Sequence, residues 1–246
     1  MKNIAGKTVL ITGANRGLGR AFVEECLAAG AAKIYAAARQ IDTLSEITKT
    51  SDSRIVPVQL DVTQPARIAD VSVEFADVSV LINNAGVAGF AGVIQAADDT
   101  AARREIETNY FGVLSMMRAF APVLAANGGG AIINVSSIAG HVNIPILGSY
   151  SASKAAVHSL TQGARAELAA QGTRVVGVYP GPIDTDMSAQ LEAEKVAPNA
   201  VAQAVLNALE AGEEDVYPDP FAVEMHAGLL SDPKAVERQA GSMLPA

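Results

Sequence analysis

Short runs rich in Val and Ile alternate along the chain with longer stretches whose apolar residues recur every three or four positions. The first pattern marks strands buried on both faces, and the second marks amphipathic helices. Strands are predicted at Lys7–Thr12, Lys33–Ala37, Arg54–Leu60, Val78–Ile82, Ala131–Val135 and Arg174–Val178. Helices are predicted at about Leu18–Ala29, Thr100–Ala126, Ser149–Ala170 and Val196–Ala211. Glycines punctuate them: Asn127-Gly128-Gly129-Gly130 ends the second helix and Gly172 closes the third. This alternation predicts an α/β fold of three layers, doubly wound around a mostly parallel sheet. Nothing resembling a repeat or a Pro/Ser-rich linker divides it. One domain is expected over residues 1–246, with a lid and a variable C-terminal segment at about 186–246.

Composition narrows the function classes. Half of the 246 residues are apolar, enough for a sizeable core. The net charge is −8 and no cluster of Lys and Arg appears, which argues against a nucleic-acid partner. The single cysteine, Cys26, lies in an apolar helical pattern and reads as a buried thiol, not part of a disulfide framework. The start, Met1–Lys7, lacks the apolar run of a signal peptide, and no run of eighteen apolar residues suits a membrane. A soluble, cytoplasmic protein without membrane partners is expected.

Two local patterns carry chemistry. Tyr150 and Lys154 stand four residues apart in a predicted helix, hence on one face. A free tyrosine has a pKa of about 10. A neighbouring ammonium favours its phenolate, so the pair could serve as an acid/base near neutral pH. Such a pair is also common on solvated helix surfaces. The second pattern is Thr12-Gly13-Ala14-Asn15-Arg16-Gly17-Leu18-Gly19, which follows the first strand and opens a helix. Glycines there let a pyrophosphate approach main-chain N–H groups at a helix N-terminus. The spacing is G-x-x-x-G-x-G, not the commoner G-x-G-x-x-G.

Together these residues resemble the short-chain dehydrogenases/reductases. Six motifs occur in that family's order over about Lys7–Met187: Thr12–Gly19, Asn83-Asn84-Ala85-Gly86, Asn109, Ser136-Ser137, Tyr150–Lys154 and Pro180-Gly181-Pro182-Ile183-Asp184-Thr185. The resemblance implies a seven-stranded Rossmann fold and a nicotinamide-dependent oxidoreductase acting on CH–OH or carbonyl groups. It implies that Tyr150 is the acid/base, that Lys154 lowers its pKa and binds the nicotinamide ribose, and that Ser137 hydrogen-bonds the substrate oxygen. Asn109 would hold a water behind Lys154. Strand alternation turns Ser136 away, so it is expected to be structural.

For the cofactor, the resemblance implies contacts from Gly13, Asn15, Arg16, Gly17, Leu18 and Gly19 around the pyrophosphate. It adds Asn83, Ala85 and Gly86 after the fourth strand, and Pro180, Gly181, Ile183 and Thr185 around the carboxamide. Asp61 and Val62 correspond to its adenine side, although Asp61 could equally be a solvated turn residue. NAD enzymes of this architecture carry an acid about 20 residues past the Gly motif. Here that count reaches Ala38, followed by Arg39, with Arg16 already in the loop. Two guanidinium groups suit a 2′-phosphate, so NADP(H) is expected to be preferred and NAD(H) possible. The alternative is that Arg39 stacks on adenine while Arg16 faces solvent.

By the same resemblance, Val87–Gln95, Ile138–Gly148 and the lid after Thr185 line the substrate pocket. They are mostly apolar, which points to an uncharged ketone or aldehyde and its alcohol. Ile144, Leu147, Met187 and His141 are the candidate contacts, although a lone loop histidine such as His141 is more often a satisfied or exposed one. His158 is expected at a packing or subunit surface, His226 is expected to be isolated, and no ligand cluster for a metal appears. The stretch Asp215–Pro220 stands where many members of the family end with a strand, and the chain then reads as a tail through Met225 and Leu229–Leu230. A homodimer or homotetramer is expected from the family. The rival readings are a non-catalytic NADP(H) sensor on the same scaffold and a dehalogenase-type relative; Lys154 and the intact glycines count against the second.

Overall fold

In a computed structural model, which describes residues 3–49 and 52–244, seven strands form one parallel sheet. They are β1 (Thr8–Thr12), β2 (Lys33–Ala38), β3 (Ile55–Gln59), β4 (Val80–Asn83), β5 (Gly130–Val135), β6 (Thr173–Val178) and β7 (Asp215–Val216). Their order is β3-β2-β1-β4-β5-β6-β7. Met1, Lys2 and residues 245–246, the outer ends of the expected domain, lie outside the described residues.

Alternation along each strand feeds both faces. Val9 and Ile11 on β1 join Ile34, Ile82, Ile133 and Val176 beneath α1 (Gly17–Ala28) and the later helix Pro198–Ala211. Leu10, Leu81, Ile132 and Val175 point the other way. That face is covered by α3 (Pro65–Glu74), which follows a short α2 (Ser45–Thr48), and by α5 (Gly112–Ala126) and α6 (Gly148–Leu168). Phe22 and Phe120 are each fully buried, one on either side. Side chains of that size are worth roughly 1.5–3 kcal/mol apiece when taken out of water.

The predicted helix over Thr100–Ala126 is broken in the middle. α4 (Thr100–Glu105) passes into a π-helical turn, Ile106–Phe111, before α5 resumes. Beyond α7 (Pro198–Ala211) and β7, the expected tail is two helices, α8 (Pro220–Ser231) and α9 (Pro233–Ala240). Both start in the same way: Asp219 and Asp232 accept the N–H of the residue three further on, and a proline fills the first helical position. They pack on the Ile138–Leu147 segment in a third apolar cluster that includes Val142, Met225 and Val236.

Candidate active site

The cleft opens at the C-terminal edge of the sheet, where the strand order reverses between β1 and β4. At the end of β1 the chain turns through Gly13 (φ +66°) and Gly17 (φ +53°), left-handed conformations that favour glycine. Gly19 is required for a different reason: a Cβ there would lie 2.0 Å from the Gly13 carbonyl oxygen. Thr12 laces this turn to the loop after β4, its hydroxyl accepting from the N–H groups of Asn84 (3.0 Å) and Ala85 (3.1 Å). The Asn84 amide donates back to the Thr12 carbonyl at 3.0 Å.

At the end of β5 the partner is α6. Lys154 Nζ donates to the Val135 carbonyl at 2.8 Å, and the Ser136 hydroxyl donates to the Lys154 carbonyl at 2.9 Å. Ser137 caps the short turn Ile138–Gly140 by accepting from the Ala139 N–H, and its hydroxyl donates to the Pro180 carbonyl at 3.3 Å and lies beside Tyr150, whose pKa it lowers. Lys154 Nζ sits 5.5 Å from the centre of the Tyr150 ring. Behind them, Asn109 is fully buried in the π-helical turn. Its Oδ1 accepts from the Val87 N–H at 2.9 Å, and its Nδ2 donates to the Val87 carbonyl (3.0 Å) and the Ser153 hydroxyl (2.9 Å).

Electrostatically, burial dominates this group. It pushes the Tyr150 hydroxyl up to about 12; the Ser137 bond works against that and the Glu105 carboxylate adds to it. Burial lowers Lys154 to about 8. The sequence implied a tyrosine lowered by its lysine. The two side chains are neighbours, but desolvation and Glu105 raise the Tyr150 hydroxyl and only the Ser137 hydrogen bond lowers it.

A cleft of about 1220 Å³ runs from the Gly-rich turn to these residues. Its walls include Gly13, Asn15, Arg16, Gly17, Leu18 and Gly19, then Arg39, Asp61 and Val62, then Ala85 and Gly86. Pro180, Gly181, Ile183 and Thr185 close the other side, and Ser137, Tyr150 and Lys154 lie at the centre. Ser136 also reaches the wall, although its hydroxyl is spent on α6. Arg16 is exposed and pairs with Asp186 at 2.8 Å, across the mouth of the cleft. Arg39 lies exposed at the end of β2. The Asp61 carboxylate accepts from the N–H and hydroxyl of Thr63, forming a turn beside the cleft.

Three placements differ from the sequence reading. Asn83 does not line the cleft: it points into the sheet's α5/α6 face, where its Nδ2 donates to Asn134 at 2.9 Å. Strand alternation sends Asn83 inward and leaves the following Asn84, Ala85 and Gly86 on the wall. His141 also leaves the cleft. It packs 4.4 Å from His158 and 4.4 Å from Tyr179, and its Nε2 lies 3.4 Å from the Tyr217 hydroxyl. Burial in that aromatic cluster lowers its pKa to about 4. Nor is His226 isolated, since it stacks on Tyr217 with ring centres 3.9 Å apart.

Ile144, Leu147 and Met187 do line the apolar end of the cleft, joined by Phe90, Phe221 and Met243. The last two come from the segment read as a tail; the Asp-Pro pairs at 219–220 and 232–233 were the signal for its helices. Asp219 also accepts from the Gly181 N–H at 2.8 Å, so α8 steadies the turn after β6. Glu105 was likewise missed, although it lies one helical turn before Asn109.

The cleft's composition fits a dinucleotide: a glycine turn at a helix start, two exposed guanidinium groups, and half-buried Tyr150 and Ser137 beside a buried Lys154. Comparison with known proteins agrees. The family model for short chain dehydrogenases matches residues 7–196. The NADP-dependent 3-hydroxy acid dehydrogenase of Schizosaccharomyces pombe is 33% identical over 250 residues, covering 93% of this chain and 96% of that protein. A cis-4-hydroxycyclohexanecarboxylate dehydrogenase from Sinomonas cyclohexanicum is 35% identical, covering 82% of this chain and 83% of its own. Among solved structures, a short chain dehydrogenase from Burkholderia cenocepacia in complex with NADP superposes with a TM-score of 0.92. It is 45% identical over 99% of this chain and 100% of that one.

Proposed function

The chain belongs to the short-chain dehydrogenase/reductase family, and from that premise we propose that it uses NADP(H) to interconvert an uncharged, largely apolar ketone or aldehyde and its alcohol. The observation that carries the reading is the convergence of Ser137, Tyr150 and Lys154 on a cleft whose far end holds the Gly-rich turn. When bound, the nicotinamide supplies or takes up the hydride. The turn from Gly13 to Gly19 would hold the pyrophosphate, and Pro180–Thr185 the carboxamide. Arg16 and Arg39 favour a 2′-phosphate, and two relatives named above carry NADP in their descriptions.

In the reductive direction Tyr150 gives its proton to the carbonyl oxygen. Its raised pKa keeps that proton in place through neutral pH. Ser137 donates a hydrogen bond to the same oxygen as charge develops there. Lys154 is held by the Val135 carbonyl and stays mostly charged below about 8. It would stabilise charge on Tyr150 and bind the ribose hydroxyls of the nicotinamide.

A second reading, a hydroxy acid, is raised by the relatives' names, which both specify acids. Ile144, Leu147, Phe90, Phe221 and Met243 offer such a carboxylate no cationic partner at the apolar end. The test is NADPH oxidation with cyclohexanone, 2-octanone and acetophenone beside a 3-oxo acid. The ketones should be preferred; preference for the acid refutes the uncharged substrate. Nicotinamide binding without turnover of any of them would favour a sensor. Tyr150→Phe should cut turnover by roughly 10²–10⁴-fold, and near wild-type turnover would remove Tyr150 from the mechanism.

A further inference from the structure

Glu105 ends α4 with no exposure to solvent. A carboxylate taken out of water is costly unless its oxygens are hydrogen-bonded, and both of these are. Oε1 accepts from the Gly89 N–H at 2.6 Å, and Oε2 accepts from the Ser149 hydroxyl at 2.5 Å. These partners sit on two different walls. Gly89 lies between Ala88 and Phe90, which line the apolar end of the cleft, and Ser149 immediately precedes Tyr150 in the first turn of α6. The seat of Gly89 is tight, since a Cβ there would lie 2.7 Å from that of Ala101 and 3.3 Å from Glu105 Oε1.

One turn further along, Asn109 repeats the arrangement, tying Val87 of the same loop to Ser153 of the same helix. Residues 105 and 109 thus make two rungs, to 89 and 149 and to 87 and 153. The rung at Glu105 carries a negative charge close enough to Tyr150 to favour its protonated form.

We propose that Glu105 is a positioning residue for proton transfer, tying the Ala88–Phe90 wall to the first turn of α6 so that Tyr150 faces the substrate at one fixed spacing. This rests on Tyr150 being the acid/base. The test uses the full-length protein, NADP(H) and whichever ketone of the three above is turned over fastest, with its alcohol for the reverse reaction.

Glu105→Gln keeps an acceptor for Gly89 and a group for Ser149 but removes the charge. Its rise of alcohol oxidation with pH should move to lower pH by half a unit or more, about threefold faster at a fixed pH on that limb. A residue that only stabilised the fold would lower the rate at every pH without moving the limb. Ser149→Ala keeps the bond to Gly89 and cuts the tie to α6. It should lose three- to tenfold in kcat, with the Kd for NADPH within twofold of wild type. Its Gly89 amide should exchange hydrogen as slowly as in the wild type, whereas Glu105→Leu, if it folds, should speed that exchange.

An unmoved limb in Glu105→Gln together with a Ser149→Ala turnover within twofold of wild type overturns the proposal while leaving the proposed function intact. Wild-type turnover in Tyr150→Phe overturns both.

Discussion

Lys154 is buried and Tyr150 half-buried, and desolvation moves them in opposite senses: the phenol up to about 12, the ammonium down to about 8. The neutral form of each gains relative to water. If the lysine charge supports proton donation, reduction should hold level through neutral pH and fall as pH rises past about 8. Oxidation of the alcohol should rise with pH, because it needs Tyr150 to give up its proton. A kcat–pH profile in each direction checks both signs.

His141 makes a stability prediction of its own. Its folded pKa of about 4 lies below the ordinary 6.5, so between those values the unfolded chain binds a proton that the folded chain refuses. Stability should therefore fall as pH drops from 6.5 toward 4, by on the order of 1–3 kcal/mol from this group. His158 and His226 beside it oppose its protonation, whereas Asp215 favours it. Denaturation midpoints at pH 4.5 and 7 should lie closer together in His141→Asn than in the wild type.

At the scale of elements, α6 spans 21 residues and carries Tyr150 and Lys154 one turn apart. It is pinned to β5 through Lys154 and to the α4–π turn through Ser149 and Ser153. The π-helical turn widens the helix where Asn109 must reach both a loop and α6; such insertions are frequent at functional sites. The C-terminal segment contributes to the apolar end of the cleft. Phe221 lies in the first turn of α8, and Met243 follows α9 with its carbonyl accepting from the Ile146 N–H at 3.0 Å. Phe221→Ala and Met243→Ala should raise the kcat/KM ratio of 2-octanone to cyclohexanone, by about tenfold or more, since single apolar groups in a pocket are worth about 1–3 kcal/mol. An unchanged ratio would place those side chains outside the substrate's reach.

For the molecule as a whole, a net charge of −8 means that an anionic cofactor must be met by local cations, not by the overall field. Arg16 and Arg39 are those cations at the cleft. NADPH at 100 times its Kd should stabilise the fold by about 2.7 kcal/mol, a rise in Tm of roughly 5–10 °C for a chain of this size. NADH at the same concentration should do less, and Arg39→Ala should narrow the gap. A scan by differential calorimetry decides it; an equal rise with both dinucleotides would remove the 2′-phosphate from the argument. Among the described residues no helix is long and apolar enough to cross a membrane.

Much of this was legible in the chain because it is local. The runs of Val and Ile that became β1 to β6, the glycines at 13, 17 and 19, and the Tyr150–Lys154 spacing all express short-range rules of strand burial, backbone conformation and helix periodicity. What escaped depends on which surfaces meet. Asn83 faces the sheet interior because of its strand register. The three histidines, 85 residues apart at their extremes (226 − 141), converge with Tyr179 and Tyr217 only because α8 packs against the Ile138–Gly140 turn. Glu105 reads as one more charge on a helix until burial and its bonds to Gly89 and Ser149 give it a place. The reaction type follows from residue identity and spacing, which the chain carries by itself. The protonation of Tyr150 and the shape of the substrate pocket follow from desolvation and long-range packing, which only the tertiary structure determines.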